Sequence, residues 1–86
     1  MQRIYEFYTM IGRNIKNIRK KFGDSQESLA EKLNMSRGFI SQIESENINI
    51  GISLDTLFNI CQLYNIDIKE LFEGSEQFIS DNNESK

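Results

Sequence analysis

Residues 25–44 of the 86-residue chain read SQESLAEKLNMSRGFISQIE, and this stretch decides the fold. Apolar residues recur at the spacing of one helix face on either side of an interruption at Asn34-Met35-Ser36. Asn tolerates the left-handed conformation that ends a helix, and Ser is a favourable N-cap for the helix that follows. The stretch therefore predicts two short helices joined by a tight turn. Their inward-facing residues are Leu29, Ala30, Leu33, Ile40 and Ile43.

A further helix is predicted upstream of this pair. Its apolar residues step by four, three and four positions, its opposite face is basic, and Gly23 follows its last turn. The start of the next helix has two alternatives, since Asp24 with Glu27 can form a capping box and Ser25 can be the N-cap. The upstream apolar residues are Ile11, Ile15, Ile18 and Phe22.

Two more helices are predicted downstream, after a loop at residues 46–52. Ser53 caps a fourth helix, and Asp67 with Glu70 opens a short fifth one. The chain is therefore predicted to be all-α, a bundle of five short helices at residues 10–73, with an N-terminal extension at 1–9 and a polar acidic tail at 74–86. The inward stripe of the fourth helix is Leu54, Leu57, Phe58, Cys61 and Tyr64, and that of the fifth is Ile68, Leu71 and Phe72.

The composition excludes several classes of function. The chain has no His and a single Cys, Cys61, so it offers neither a His/Cys metal site nor His-dependent nucleophilic catalysis. It also lacks a paired-carboxylate motif and a Gly-rich phosphate loop, so we expect no enzyme activity, no metal and no cofactor. A lone Cys fits a reducing cytoplasm, and no apolar run is long enough to cross a membrane.

The net charge of −3 conceals an uneven distribution along the chain. Residues 1–43 carry eight Lys or Arg and four acids, whereas residues 44–86 carry two bases and nine acids. A small domain with this pattern can present a basic face while its other end stays acidic. The overall acidity therefore does not exclude a nucleic-acid partner.

Five short helices with a three-residue turn between the second and third are the arrangement that places one helix in the DNA major groove. From Ile11 to Phe72 the chain resembles the Cro and phage-repressor type helix-turn-helix family, through the string at 25–44, Ile18-Arg19 upstream, and Leu54, Leu57, Ile60-Cys61 and Leu71-Phe72 downstream. The resemblance implies a lambda-repressor-like DNA-binding domain and a prokaryotic transcription regulator, such as a repressor. Small stand-alone members include phage repressors, restriction-modification controller proteins and antitoxins.

The resemblance also assigns residues to DNA contacts. Arg37 lies at the tip of the recognition helix, where a guanidinium pairs with guanine, and Gly38 permits close approach without reading a base. Phe39 either contacts a thymine methyl or sugar, or packs over the helix-turn-helix itself. The implied base-reading set is Arg37, Gly38, Phe39, Ser41 and Gln42, and the implied phosphate contacts are Ser25, Gln26, Ser36, Lys16, Arg19, Asn47 and Asn49.

One ion pair is implied beneath the recognition helix, between Arg19 and Glu44. After Glu44 the chain departs from the common family pattern, because Ser45-Glu46 replaces the usual ending and the loop is about two residues longer. Glu46 facing DNA would repel the phosphates. In the same loop Asn47 and Asn49 can donate to phosphates, so the two effects oppose each other.

The implied mode of action is a homodimer on a twofold operator in double-stranded DNA, since one small module makes too few contacts for tight binding. The alternative is a protein-interaction module, such as an antitoxin, that uses the same scaffold to bind a partner protein. The chain carries no domain for a small-molecule ligand. The predicted dimer interface comprises Tyr64, Ile66, Ile68, Leu71, Phe72 and Phe78.

Overall fold

The computed structural model describes residues 3–46 and 50–78 of the chain. Within these residues the chain is all-helical and contains no strand, which confirms the predicted fold class. The predicted contact residues Asn47 and Asn49 lie outside the described residues. The elements are α1 at Arg3–Lys21, α2 at Gln26–Leu33, α3 at Arg37–Ile43, α4 at Leu54–Tyr64 and a short 3-10 helix at Ile68–Glu70.

Local side-chain caps set the beginnings of the later helices. Ser25 Oγ accepts a hydrogen bond from the Ser28 N–H at 3.0 Å, so Ser25 is the N-cap of α2 and the Asp24 capping box does not form. Ser36 and Ser53 cap α3 and α4 in the same way. Asn34 ends α2 in the left-handed conformation, with φ of 58°. The turn between α2 and α3 is therefore specified by residues within it.

The core lies where α1, α2, α3 and α4 meet. Its fully buried side chains come from all four α-helices and from the segment after α4, so each helix depends for its stability on packing against the others. Those side chains are Ile11, Ile15, Leu29, Ile40, Ile43, Ile60 and Leu71.

Gly12 brings α1 against the C-terminal end of α3. A Cβ atom at Gly12 would overlap the carbonyl oxygen of Ile43 and lie 3.5 Å from the Glu44 Cα. Because that neighbour is backbone, it cannot rotate away as a side chain can. The absence of a side chain at Gly12 therefore fixes how closely α3 sits on α1.

The predicted inward stripe of α4 is partly wrong. Leu54 and Phe58 are 70% and 56% exposed, while Thr56, Leu57 and Ile60 are buried. The apolar residues of α4 cover more than one face, so the spacing alone supports two orientations. Packing against α2 and the segment after α4 selects the face that contains Ile60 and Tyr64.

The side chain of Phe22 is also exposed rather than inward, at 49%. It stacks on the ring of Tyr64, with centroids 4.6 Å apart and planes 14° apart. Phe22 lies just past the last residue of α1, so it covers the edge of the core instead of entering it.

The two termini of the described chain pack against each other. Helix α1 begins at Arg3, so residues 3–9 of the predicted N-terminal extension are helical and continuous with the rest of α1. Phe7 stacks on Phe72 at 5.9 Å and meets Phe78 edge-on at 5.3 Å. The first five residues of the predicted tail, 74–78, therefore belong to the packed domain.

Candidate nucleic-acid interface

Helix α3 exposes one continuous arc of side chains. Arg37, Gly38, Ser41 and Gln42 are all exposed, whereas Ile40 and Ile43 on the opposite side are buried. At 3.6 residues per turn these four exposed positions fall on one side of the helix. The predicted base-reading residues other than Phe39 thus share a surface that a duplex can reach.

Phe39 lies at the edge of that arc and is half-buried. Its ring packs against the hydrophobic core, and its backbone N–H is engaged by the Ser36 cap at 3.0 Å. Of the two predicted roles for Phe39, the geometry favours packing over the helix-turn-helix.

The N-terminal ends of α2 and α3 border a shallow cleft of about 470 Å³. It is lined by Arg19, Ser25, Gln26, Glu27 and Arg37, so hydroxyl, amide and guanidinium donors face the same space together with one carboxylate. Helix N-termini add free backbone N–H groups and a partial positive charge. The cleft is chemically suited to a phosphate oxygen.

A buried network lies behind this cleft and ties α1, α2 and the end of α3 together. Arg19 donates to both Glu44 carboxylate oxygens, at 2.7 Å from Nε and 2.9 Å from Nη2. Gln26 Nε2 donates to the same Glu44 Oε1 at 3.0 Å. The structure therefore places Arg19 and Glu44 in a bidentate ion pair and orients the Gln26 amide from behind. The hydrogen bond from Gln26 to Glu44 has no signal in the sequence.

The predicted phosphate contact of Arg19 does not fit this geometry. Its third nitrogen donates to the Asp24 carbonyl oxygen at 2.8 Å, and its side chain is only 7% exposed. The bonds to Glu44 raise the pKa of Arg19. All three guanidinium nitrogens donate within the protein, so Arg19 holds Glu44 in place behind the cleft.

A second network, which the sequence did not reveal, surrounds the Asp24 carboxylate. Its oxygens accept from Tyr64 Oη at 2.7 Å, Ser28 Oγ at 2.7 Å and Lys32 Nζ at 2.8 Å. These bonds, from Lys32 above all, lower the pKa of Asp24 to about 2. Burial, together with the bond to Asp24, raises the pKa of Tyr64. Asp24 thus joins the start of α2 to the end of α4.

An exposed ion pair lies beside the C-terminal end of α3. Arg13 Nη2 donates to Glu46 Oε1 at 2.9 Å, and this bond lowers the pKa of Glu46. The charge of Lys16 acts in the same direction on that carboxylate. Glu46 is therefore partly neutralised by α1.

The predicted dimer interface needs correction at two residues. Tyr64 is 8% exposed and Leu71 is fully buried, so both side chains belong to the core of the chain itself and are not available to a second copy. Ile66, Ile68 and Phe72 are half-buried against that core, and Phe78 packs on Phe7 and Arg3. The large apolar side chains most open to solvent on α4 are instead Leu54 and Phe58.

The described residues hold neither a membrane-spanning helix nor a cluster of metal ligands. None of the helices at 3–46 and 50–78 is long and apolar enough to cross a membrane. In the same part of the chain, no group of three or more His, Cys, Asp or Glu side chains is placed to hold a metal ion.

Comparison with known proteins identifies the class. The model of the Helix-turn-helix family matches residues 15–71, well over half of the chain, and the chain belongs to that family. Among solved structures, the restriction-modification controller protein C.AhdI from Aeromonas hydrophila matches with a TM-score of 0.68 and 26% identity, over 79% of this chain and 100% of that one. No curated protein matches the chain.

The family and the solved neighbour support a DNA-binding transcription regulator of the Cro/C1 type. They point to this class of protein rather than to an enzyme.

Proposed function

We propose that this chain is a sequence-specific regulator that binds an operator in double-stranded DNA as a homodimer, with α3 in the major groove. The single observation that carries the proposal is the exposed arc of Arg37, Gly38, Ser41 and Gln42 on α3. Helix α3 emerges from a capped turn after α2, as a recognition helix does.

Each residue of the arc has a distinct role in this proposal. Arg37, in the first turn of α3, donates in bidentate fashion to guanine O6 and N7. Gln42 lies further along the helix and reads adenine, while Ser41 donates or accepts beside it. Gly38 has open space around it, with the nearest atom 4.0 Å from where a Cβ would lie, so the backbone can approach the bases closely.

The cleft between α2 and α3 receives a backbone phosphate. Gln26 is held by Glu44 through one amide hydrogen, which leaves its second hydrogen to donate outward. Ser25 and Ser36 use their oxygens as acceptors in the caps and keep their O–H groups for the phosphate. Lys16 is exposed on α1 and adds charge. Such contacts set the register of the protein on DNA without reading sequence.

A second copy docks on the exposed face of α4. Leu54 and Phe58 are one helical turn apart and are both more than half exposed. An isologous contact there uses the same patch on both copies and gives the twofold symmetry that a palindromic operator requires. The protein acts in the cytoplasm, where its DNA lies. Its solved neighbour is a restriction-modification controller, and we extend that role to this chain as the working biological context.

Selection from a random duplex library, followed by fluorescence anisotropy on the recovered site at several salt concentrations, tests the DNA function. We expect a palindromic site, a steep negative salt dependence, and loss of base preference in Arg37→Ala. The Arg37→Lys variant keeps the charge but not the bidentate fork, so it separates base reading from attraction to phosphate. Failure to enrich any sequence, with weak binding unaffected by Arg37→Ala, would refute the proposal.

Sedimentation of the free protein tests the interface. Leu54→Gln with Phe58→Gln should shift the dimer to monomer, whereas the control Ile4→Gln, at a residue 45% exposed on α1, should not. If the double variant remains dimeric, the interface lies elsewhere. If the wild-type protein is monomeric with and without DNA, the exposed face of α4 is left for a different protein, as the interaction-module alternative requires.

A further inference from the structure

We propose that Glu46 competes with the DNA backbone for Arg13, so that this ion pair limits the affinity of the protein for its operator. The inference rests on the proposed DNA-binding function and concerns a contact outside the base-reading arc. In the free protein Glu46 binds the guanidinium of Arg13, and on the operator a phosphate binds that guanidinium instead of Glu46.

The pair lies where the flanking phosphates are expected. Gly12, which precedes Arg13, touches the backbone of Ile43 at the end of α3, and Glu46 follows that end by three residues. Helix α3 has seven residues and spans about 10 Å, close to the roughly 12 Å width of the major groove. With its N-terminal tip on the bases, its C-terminal end reaches the groove edge, which is lined by phosphates.

The chemistry of the two ligands makes them exchangeable. A carboxylate and a phosphate diester both present oxyanions that a guanidinium binds through parallel N–H donors. The Arg13–Glu46 bond uses one Nη2–Oε1 contact of 2.9 Å, and the side chains are 53% and 67% exposed. An ion pair with this exposure is weak because water screens both charges, so a phosphate can displace it.

The buried pair on the same helix provides the contrast. Arg19 and Glu44 are 7% and 2% exposed and joined by two hydrogen bonds, and they cannot exchange with an external ligand without opening the core. Among the residues that the structure describes, two Arg–Glu pairs therefore join α1 to the end of α3 or to the segment just after it. One is a fixed support, and the other is open to replacement.

A double-mutant cycle with Glu46→Gln, Arg13→Gln and the combined variant tests the competition. Affinity for the selected operator is measured by anisotropy from low to high salt. Glu70→Gln, which removes one exposed acid in the 3-10 helix, serves as the control for net charge. Thermal unfolding of each variant verifies that all remain folded.

In the wild type Arg13 gains a phosphate at the expense of its pair with Glu46, whereas in Glu46→Gln it gains the phosphate without that loss. The displaced carboxylate takes up a cation and so offsets one released counterion. Glu46→Gln should therefore steepen the slope of log K against log salt by up to about 0.9 per protomer and tighten binding about five- to tenfold per protomer near 0.1 M salt. Arg13→Gln in the Glu46→Gln background should abolish that gain, while Glu70→Gln should leave the slope unchanged.

Two results would overturn the inference. If the gain from Glu46→Gln persists without Arg13, the carboxylate acts by repelling DNA and not by holding the guanidinium. If Glu46→Gln leaves affinity and slope unchanged, Arg13 does not reach a phosphate. Failure of the proposed function itself is distinguishable, because then the wild-type protein would recover no operator in the selection.

Discussion

Replacing Gly12 by Ala sets two known effects of opposite sign against each other. Ala is favoured over Gly inside a helix by about 1 kcal/mol, so the substitution stabilises α1 if the new methyl group has room. The structure gives it none, because the Cβ would overlap the Ile43 carbonyl oxygen and lie 3.1 Å from its carbon. Overpacking costs about 1–3 kcal/mol, and we expect about 2–3 kcal/mol here because the overlap is with backbone; after the helix gain of about 1 kcal/mol the net loss is about 1–2 kcal/mol.

Gly38→Ala is the matched control. The substitution adds the same methyl group inside a helix, but the nearest atom, Ser36 Oγ, would be 4.0 Å away. Gly38 is the second residue of α3, where Ala is favoured less strongly than in a helix interior, so the gain should be about 1 kcal/mol at most. Operator binding should nevertheless weaken in Gly38→Ala, because the methyl group enters the space that the bases occupy in the proposed complex.

Thermal unfolding by circular dichroism at one protein concentration checks both variants. For a domain of this size 1 kcal/mol corresponds to about 4–8 °C, so Gly38→Ala should raise Tm by at most that amount and Gly12→Ala should lower it by that amount or more. If both variants shift Tm in the same direction, the close approach of α1 to α3 does not limit the packing, and the reasoning is refuted.

Three further predictions follow from burial and charge. Leu29→Ala should lower the free energy of unfolding in urea by about 2–5 kcal/mol because Leu29 is fully buried. Leu54→Ala, at a side chain that is 70% exposed, should lower it by less than about 1 kcal/mol in the monomer, and equal losses would contradict the assigned core. Glu44→Ala should lower the free energy of unfolding by about 3–5 kcal/mol because it leaves the buried Arg19 without its partner. Glu46→Ala breaks an exposed pair and should have a much smaller effect, so a Glu46→Ala variant as destabilised as Glu44→Ala would contradict the exposures seen. The pKa of Asp24 is lowered from 3.8 to about 2 on folding, so its contribution to stability is present above about pH 5 and is lost as pH falls from about 4 toward 2. In an acid titration, the stability of Asp24→Asn should therefore decline less over that window than that of the wild type. An unchanged decline in stability would mean that other carboxylates account for it.

The helix starts could be predicted from sequence because their causes are local. Ser25, Ser36 and Ser53 each accept from a backbone N–H three residues ahead, a distance that the chain spans whatever the rest of the fold does. The choice between Asp24 and Ser25 at the start of α2 could not be made from the neighbouring residues alone. Asp24 is held by Tyr64, which is 40 residues away, and so its carboxylate is not available as a cap.

The orientation of α4 shows where periodicity stops being informative. Apolar residues lie on more than one face of α4, so the sequence pattern fits more than one inward stripe. Tertiary packing buries Ile60 and Tyr64 and leaves Leu54 and Phe58 exposed. The proposed dimer face was missed for this reason, and the only available signal was the excess of apolar residues on one helix.

The sequence was enough to predict the helix-turn-helix and the residues that point outward from α3, since these depend on caps and spacing within about 20 residues. The family resemblance rests on a longer match, from Ile11 to Phe72. The tertiary structure alone decided that Arg19 is buried, that Gln26 is tied to Glu44, and that Glu46 is paired with Arg13. Each of these contacts joins α1 or α2 to the end of α3. Their geometry depends on how closely the helices pack, which no local pattern encodes.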